Sequence, residues 1–203
     1  MASVDPKTGK PVKSSSGRLC GWNTIFGRDG DHGEPYMTRV WFGRLRLHIF
    51  HRGDNDPDAH SHPWHFWTFP LVSYVEEVLL HVGGDVDKDG NTIALRYAKV
   101  LNVVPAWHWT YRDATHTHRV IAAASKPAKF FRPHGGVLPS WLKVDSATKP
   151  GKIVTLVWRS KEFRKWDFLK ERAGVWCRVF WRDYVFNGGK DAPCSPPGVD
   201  HLK

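Results

Sequence analysis

Apolar and polar residues along the middle of the chain alternate with the period of two that marks a strand, and runs with helical spacing are few. WFGRLRLHIFH places Leu45, Leu47, Ile49 and His51 on one face and Arg44, Arg46 and His48 on the other, the pattern of a strand with one buried side. The segment from Trp64 to Val82 is aromatic and β-branched and runs into GGDVDKDGNT, whose Gly-Gly and Asp-Gly pairs predict a reversal and hence a hairpin. IALRYAKVLNVV and HRVIAAA continue the strand character, and IVTLVW and VWCRVFWRDYVF supply two more strands late in the chain. SKEFRKWDFLKERAG is the single candidate for a short helix. Many short strands without long helices predict an all-β fold: a sandwich, jelly roll or barrel with at most one or two short helices. The ends differ from this middle. Residues 1–17 and the tail from Asn187 (NGGKDAPCSPPGVDHLK) are rich in Lys, Ser, Pro and Gly and bury little apolar surface, so the pattern predicts one domain over 18–186 between two flexible tails.

Composition supports a single core: 203 residues with 41% hydrophobic and 13% aromatic content fill one sizeable interior, not two. No apolar run approaches the roughly 20 residues that cross a bilayer. The start, MASVDPKTGKPVKSSSG, lacks the apolar stretch of a signal peptide. The expectation is a soluble protein of the cytoplasm with no membrane partner. Cys20, Cys177 and Cys194 are odd in number, far apart and without a CxxC pair, which argues against a disulfide framework and against a thiolate zinc site, and fits a reducing cytosol. A formal charge of +10 and a pI near 9.7 attract polyanions, nucleic acid and anionic metabolites alike. Much of that charge lies between Lys152 and Arg182. There Arg159, Lys161, Arg164, Lys165, Lys170, Arg172 and Arg178 are interleaved with Trp158, Trp166, Trp176 and Trp181. Basic and aromatic side chains together grip and stack on single strands. Strand alternation alone, with tryptophans in the core and charges in water, produces the same pattern.

Candidate chemistry concentrates in DPDAHSHPWHFW and RDATHTHRV. Residues two apart in a strand point the same way, so His60 and His62 share one face and His116 and His118 share another. Brought together, the pairs form a nitrogen-rich metal site. Each neutral imidazole binds through one nitrogen and donates from the other to a carbonyl or carboxylate, for which Asp54, Asp56, Asp58 and Asp113 lie near in sequence. If the second strand is regular, Arg112 shares the face of His116 and His118 and can hold an anionic group with two parallel hydrogen bonds, unless it only opens the strand at a barrel rim. Tyr97 and Tyr111 are candidate hydrogen-bond donors or plain core, with Tyr97 placed among the substrate-binding candidates.

HSHPWHFWTFPLVSYVEE followed by RDATHTHRV resembles the paired histidine motifs of the cupin superfamily, in particular short cupin-like proteins of bacteriophage and bacteria, and the resemblance covers roughly residues 37–185. It implies a small jelly-roll barrel with an HxH pair, often a Glu, and a later His facing inward. Carried onto this chain, it implies that His60 and His62 form the first pair and His118 the later ligand, with His116 as the alternate. The family's Glu would fall near Phe66 or Trp67, neither of which coordinates, and Glu76 and Glu77 lie too far along without a shift of register. The resemblance therefore implies a three-His site, or one that recruits His65 as a fourth ligand.

Three function classes follow. A three-nitrogen site with open positions suits Fe(II), with Zn, Mn or Ni as other occupants, and points to a non-haem iron dioxygenase-like enzyme acting on a small anionic or thiol-bearing molecule. A barrel that holds a small ligand or nucleotide without turnover is the second class. The third is a phage interaction or assembly protein meeting nucleic acid through its basic aromatic C-terminal part. The cupin resemblance also implies pairing of two barrels through edge strands, which makes a homodimer one expected assembly, and a phage-encoded chain would work in the bacterial host cytoplasm.

Overall fold

A computed structural model of the chain describes residues 19–26, 35–86, 88–89, 92–126, 136–137 and 147–194. The tail over 1–17 and the end of the C-terminal tail, 195–203, lie outside the described residues. Two antiparallel sheets face each other in a nearly closed β-barrel. The six-stranded sheet runs β1 (Cys20–Phe26), β2 (Pro35–Phe42), β3 (Leu45–Phe50), β12 (Ile153–Arg159), β5 (Phe66–Pro70) and β8 (Thr110–Arg112). The eight-stranded sheet runs β10 (Gly136–Val137), β7 (Thr92–Val104), β6 (Tyr74–Val86), β9 (His118–Ala124), β4 (Ala59–His60), β13 (Asp167–Arg172) and β14 (Val175–Phe180), with β11 (Thr148–Lys149) paired to β9. A short helix, α1 (Trp181–Phe186), follows β14. Strands far apart in sequence are neighbours here: β3 beside β12, and β4 between β9 and β13. The all-β barrel expected from the pattern is the fold, and the hairpin expected after Val82 is the β6–β7 pair. Among the described residues no helix is long and apolar enough to cross a membrane.

The apolar core gathers at one level of the barrel. Ile25, Met37, Phe50 and Ile153 sit in one cross-strand row of the six-stranded sheet and pack against Tyr74 and Val120 of the other. The next rows along the same inner face bring in polar side chains. Arg39, His48 and Thr155 are register partners, and so are Trp41, Arg46, Val157 and Thr68. Arg46 and Thr68 are buried at 9% and 4% exposure, whereas Leu45, Trp158 and Trp67, the neighbouring row on the outer face, are 37%, 46% and 38% exposed. β3 thus has one buried side, as its alternation predicts, but the buried side carries Arg46 and His48. Alternation sets which residues share a face; hydrophobicity alone would choose the other face for the interior. The barrel departs from that choice around a cavity whose lining includes Arg46, His48, Thr68 and Thr155.

Two local expectations fail in the same region. SKEFRKWDFLKERAG contains no helix: 160–166 is irregular and β13 then pairs with β14 across a two-residue turn. Ala173 and Gly174 have φ of 52° and 78°, the left-handed pair that a tight hairpin requires. The helical spacing in this stretch loses to pairing between β13 and β4. VWCRVFWRDYVF, read as strand throughout, is strand only as far as Phe180 and helix from Trp181. There Tyr184 is buried and stacks on Phe168 with ring centroids 3.9 Å apart.

The cysteine reading is corrected as well. Cys177 and Cys194 form a disulfide, brought together because the chain turns back after α1. Lys170 Nζ donates to the carbonyls of Gly189 and Ala192, and Arg172 Nη2 donates to that of Lys190 at 2.7 Å. The contacts of the barrel therefore continue to Cys194, past the expected boundary at 186. A bridge closing a loop of this length contributes about 3 kcal/mol. Cys194→Ser is expected to lower the unfolding midpoint by roughly 6–12 °C, with no further change on adding reductant. A midpoint equal to wild type under oxidising conditions would show that the bridge does not constrain the chain. The bridge also removes the premise, all cysteines reduced, on which the cytosolic expectation partly rested.

Candidate metal centre

Three chain segments meet where β4 lies between β9 and β13. His60 ends β4 and is the register partner of both His118, which opens β9, and Phe168 of β13. His62 follows two residues later, while Ser61 between them turns away and donates to Asp167 Oδ1 at 2.5 Å. The three imidazoles enter one cavity of about 100 Å³ between the sheets, and one nitrogen from each lies within 4.8 Å of the others. His62 Nε2 and His118 Nε2 are 2.9 Å apart.

Glu76 of β6 fixes the role of His118. Its carboxylate has no solvent exposure and takes three hydrogen bonds: from His118 Nδ1 at 2.7 Å, Arg112 Nη2 at 2.6 Å and Asn102 Nδ2 at 2.8 Å. Burial opposes its ionisation, but the approach of His116, the bond from His118 and the Arg112 charge outweigh burial and hold the carboxyl well below its usual range. An ionised carboxylate only accepts, so Nδ1 of His118 carries the proton and Nε2 presents a lone pair to the cavity. His60 has a looser counterpart. Gly53 passes so close to β9 that a Cβ there would stand 1.8 Å from the Ile121 carbonyl oxygen. This approach brings Asp54 Oδ2 to 3.9 Å from His60 Nδ1, and both atoms are buried without a hydrogen-bond partner among the described residues. Burial pushes the Asp54 carboxyl up to about 7.

Burial, reinforced by the neighbouring imidazoles, holds His60 and His62 well below the ordinary histidine pKa. It also lowers His118, against the pull of Glu76. Neutral imidazoles are the form that binds a metal. The spacing fits one: two nitrogens about 2.1 Å from an ion and at right angles around it stand roughly 3 Å apart, close to the separation of the His62 and His118 nitrogens. A second set, Glu76, His116 and His118, also brings three donor atoms together. Its carboxylate is already engaged by Arg112, Asn102 and the proton of His118, so it serves as the support of the first set.

The structure thus brings His60, His62 and His118 together and separates the other candidates. β8 ends at Arg112 and β9 begins at His118, so the expected regular strand is broken. Asp113 Oδ1 instead accepts from the backbone N–H of Thr115 and His116 and caps a turn. His116 leaves the cavity and stands 3.6 Å from Glu76 on its far side. His65 is not a fourth donor: its Nδ1 accepts from Ala114 N–H and its ring packs on Phe163, away from the cavity. Arg112 does point inward, but Glu76 occupies it, so it is a structural ion pair and not a free anion receptor. Tyr97 lies on the opposite face of the eight-stranded sheet from Glu76, between His81 and Trp176. Asp56 and Asp58 accept from Tyr184, and Asp58 also pairs with Arg172, which leaves Asp54 as the carboxylate behind His60. Glu76 is the residue that sequence spacing placed too far away. Pairing of β6 with β9, whose register shifts between Val75 and Glu76, brings it beside His118 across 42 residues.

Fold and site together define an all-β, nearly closed antiparallel barrel with an internal His/Glu cluster whose donor atoms are close enough together to hold a metal ion. No protein-family model matches the chain, and no curated protein matches its sequence. Among solved structures the chain is similar to the crystal structure of FeII HppE, at 10% identity and a TM-score of 0.37. The match covers 79% of this chain and 64% of that one, so the chain spans less than two thirds of that protein's length.

Proposed function

We propose that the protein is a metal-dependent enzyme, non-haem iron dioxygenase-like, that acts on a small anionic or thiol-bearing molecule, with His60, His62 and His118 holding Fe(II). The observation that carries this reading is the convergence of three imidazoles on one cavity, one of them oriented by its hydrogen bond to the buried Glu76. Imidazole donors suit Fe, Zn and Ni, and Mn more weakly, so the donor set alone does not choose among them. His60, His62 and His118 would hold the iron, which would supply a centre for activating dioxygen and a substrate. The chain's own part is to favour neutral imidazoles by burial, to hold the His118 ring with Glu76, and to line the cavity beside them with Phe66, Val120 and Val157.

The test is elemental analysis of tag-free protein prepared anaerobically and given Fe(II), beside His62→Ala and Glu76→Gln. Wild type is expected to hold about one equivalent of metal, His62→Ala essentially none, and Glu76→Gln to bind ten- to a hundredfold more weakly. Stoichiometric metal would be followed by oxygen-uptake assays with small organic acids and thiols. Wild type that takes up no Fe, Zn, Mn or Ni would overturn the reading and leave a barrel that binds a small ligand without turnover.

A further inference from the structure

We propose that Arg46 and His48 form an anion-holding pole in the same cavity, and that its ligand is a small carboxylate of about five heavy atoms, bound with its carboxylate on Arg46 and its other end at the histidine cluster. The assignment names the substrate class of the site proposed above and rests on that reading for what the far end of the ligand meets. Arg46 and His48 enter from β3, in the six-stranded sheet, whereas His60 and His118 belong to the opposite sheet, and all four line one cavity.

Arg46 is an unusual residue to bury. It is 9% exposed, its Nε is sealed from solvent without a hydrogen-bond partner, and no carboxylate among the described residues pairs with it. Its neighbours are the ring faces of Trp41 and Trp64, 6.0 and 5.8 Å from the guanidinium carbon. Other cations surround it. Arg39 lies on the adjacent strand as the register partner of His48, and Arg159 of β12 stacks on Trp64 at 4.5 Å. Burial, and then the charges of Arg39 and Arg159, lower the Arg46 pKa to about 9. His48 Nε2 is likewise buried without a partner. Aromatic faces compensate a desolvated guanidinium only in part, and like charges around it add to the cost. An anion is the group that satisfies all of them at once, and a carboxylate matches the planar fork of Arg46. Arg112, which also points inward, is taken by Glu76, whereas among the described residues no carboxylate pairs with Arg46. Size limits the ligand. A cavity of about 150 Å³ takes benzene, and this one is about 100 Å³.

Glycolate, with five heavy atoms, and its neutral counterpart glycolamide are the probes, titrated calorimetrically into the full-length chain with and without bound metal. Wild type is expected to bind glycolate saturably and at least tenfold more tightly than glycolamide. Arg46→Met is expected to lose that preference, to take up metal as wild type does, and to unfold at a higher temperature than wild type without ligand, because a buried unpaired cation is gone. Arg46→Lys, which keeps the charge without the fork, is expected to weaken glycolate about tenfold. Glycolate affinity unchanged in both variants, or no saturable binding to wild type in either state, would overturn the proposal. The two readings fail separately. Arg46-dependent glycolate binding in a chain that takes no metal leaves the anion pole standing and removes the enzyme; normal metal uptake with Arg46-independent glycolate binding does the reverse.

Discussion

Glu76→Ala is expected to destabilise the protein by about 3–5 kcal/mol, the usual cost of removing one member of a buried ion pair. The side chain it deletes accepts from Arg112, Asn102 and His118 with no exposure to water. Its loss strands the Arg112 guanidinium, whose side chain is 11% exposed, beside two more donors without acceptors. For a chain of this size the unfolding midpoint should fall by roughly 6–20 °C. A double variant, Glu76→Ala with Arg112→Leu, should recover part of the loss because no charge is left unpaired, and the coupling between the two sites should be well above the few tenths of a kcal/mol seen for independent positions. Urea denaturation at pH 7.5 measures both. If the single variant unfolds within 1 kcal/mol of wild type, Glu76 is not the buried, ionised hub that this geometry requires.

The metal-free protein should lose stability as the pH falls below about 6.5. Burial holds His48, His60 and His62 well below that value in the folded chain, with nearby cations or imidazoles adding to the effect, whereas in the unfolded chain they titrate normally. The unfolded state therefore binds more protons in acid. The stability these groups contribute is complete above about 6.5 and is lost as the pH falls. Asp54 runs the other way. Its carboxyl is pushed up to about 7 by burial, so the folded state takes a proton there that the unfolded state refuses, and its contribution is lost as the pH rises. His48, His60 and His62, with His118 also lowered, outnumber the raised carboxyls of Asp54 and Asp56, so the unfolded chain holds a net excess of protons in mild acid, and each proton of that excess is worth about 1.4 kcal/mol per pH unit. Asp54→Asn should steepen it by about 1.4 kcal/mol per unit. Denaturation midpoints at pH 7, 6 and 5 decide the matter, and a flat profile would mean that the imidazoles charge inside the barrel.

Much of the site was legible because strand geometry is local. His60 and His62 share a cavity because they are two residues apart at the end of a strand, and the three-His set with His118 follows from the motif resemblance. The failures cluster where pairing overrides local pattern. Arg112 to His118 reads as one strand, yet the Asp113 turn breaks it and sends His116 behind Glu76. Tyr97 alternates correctly along β7 but faces the wrong side of the sheet, which no period of two reveals. The segment before Ala173 has helical spacing and becomes a strand because β4 and β14 lie on either side to receive it.

From its own pattern the sequence determined the strand content, the hairpin after Val82 and the pairing of residues on common faces, since each depends only on neighbours a few positions apart. It also pointed to the histidine cluster, because five of the twelve histidines fall in two short segments. Tertiary structure alone decided which face of each strand became the interior. It turned Arg46 and His48 inward, leaving Leu45 and Trp158 at the surface. It also decided that Glu76 would stand behind His118 and that Cys177 would meet Cys194. These are contacts across 17 to 42 residues, and they exist only when the register of non-adjacent strands is set by the closing of the barrel.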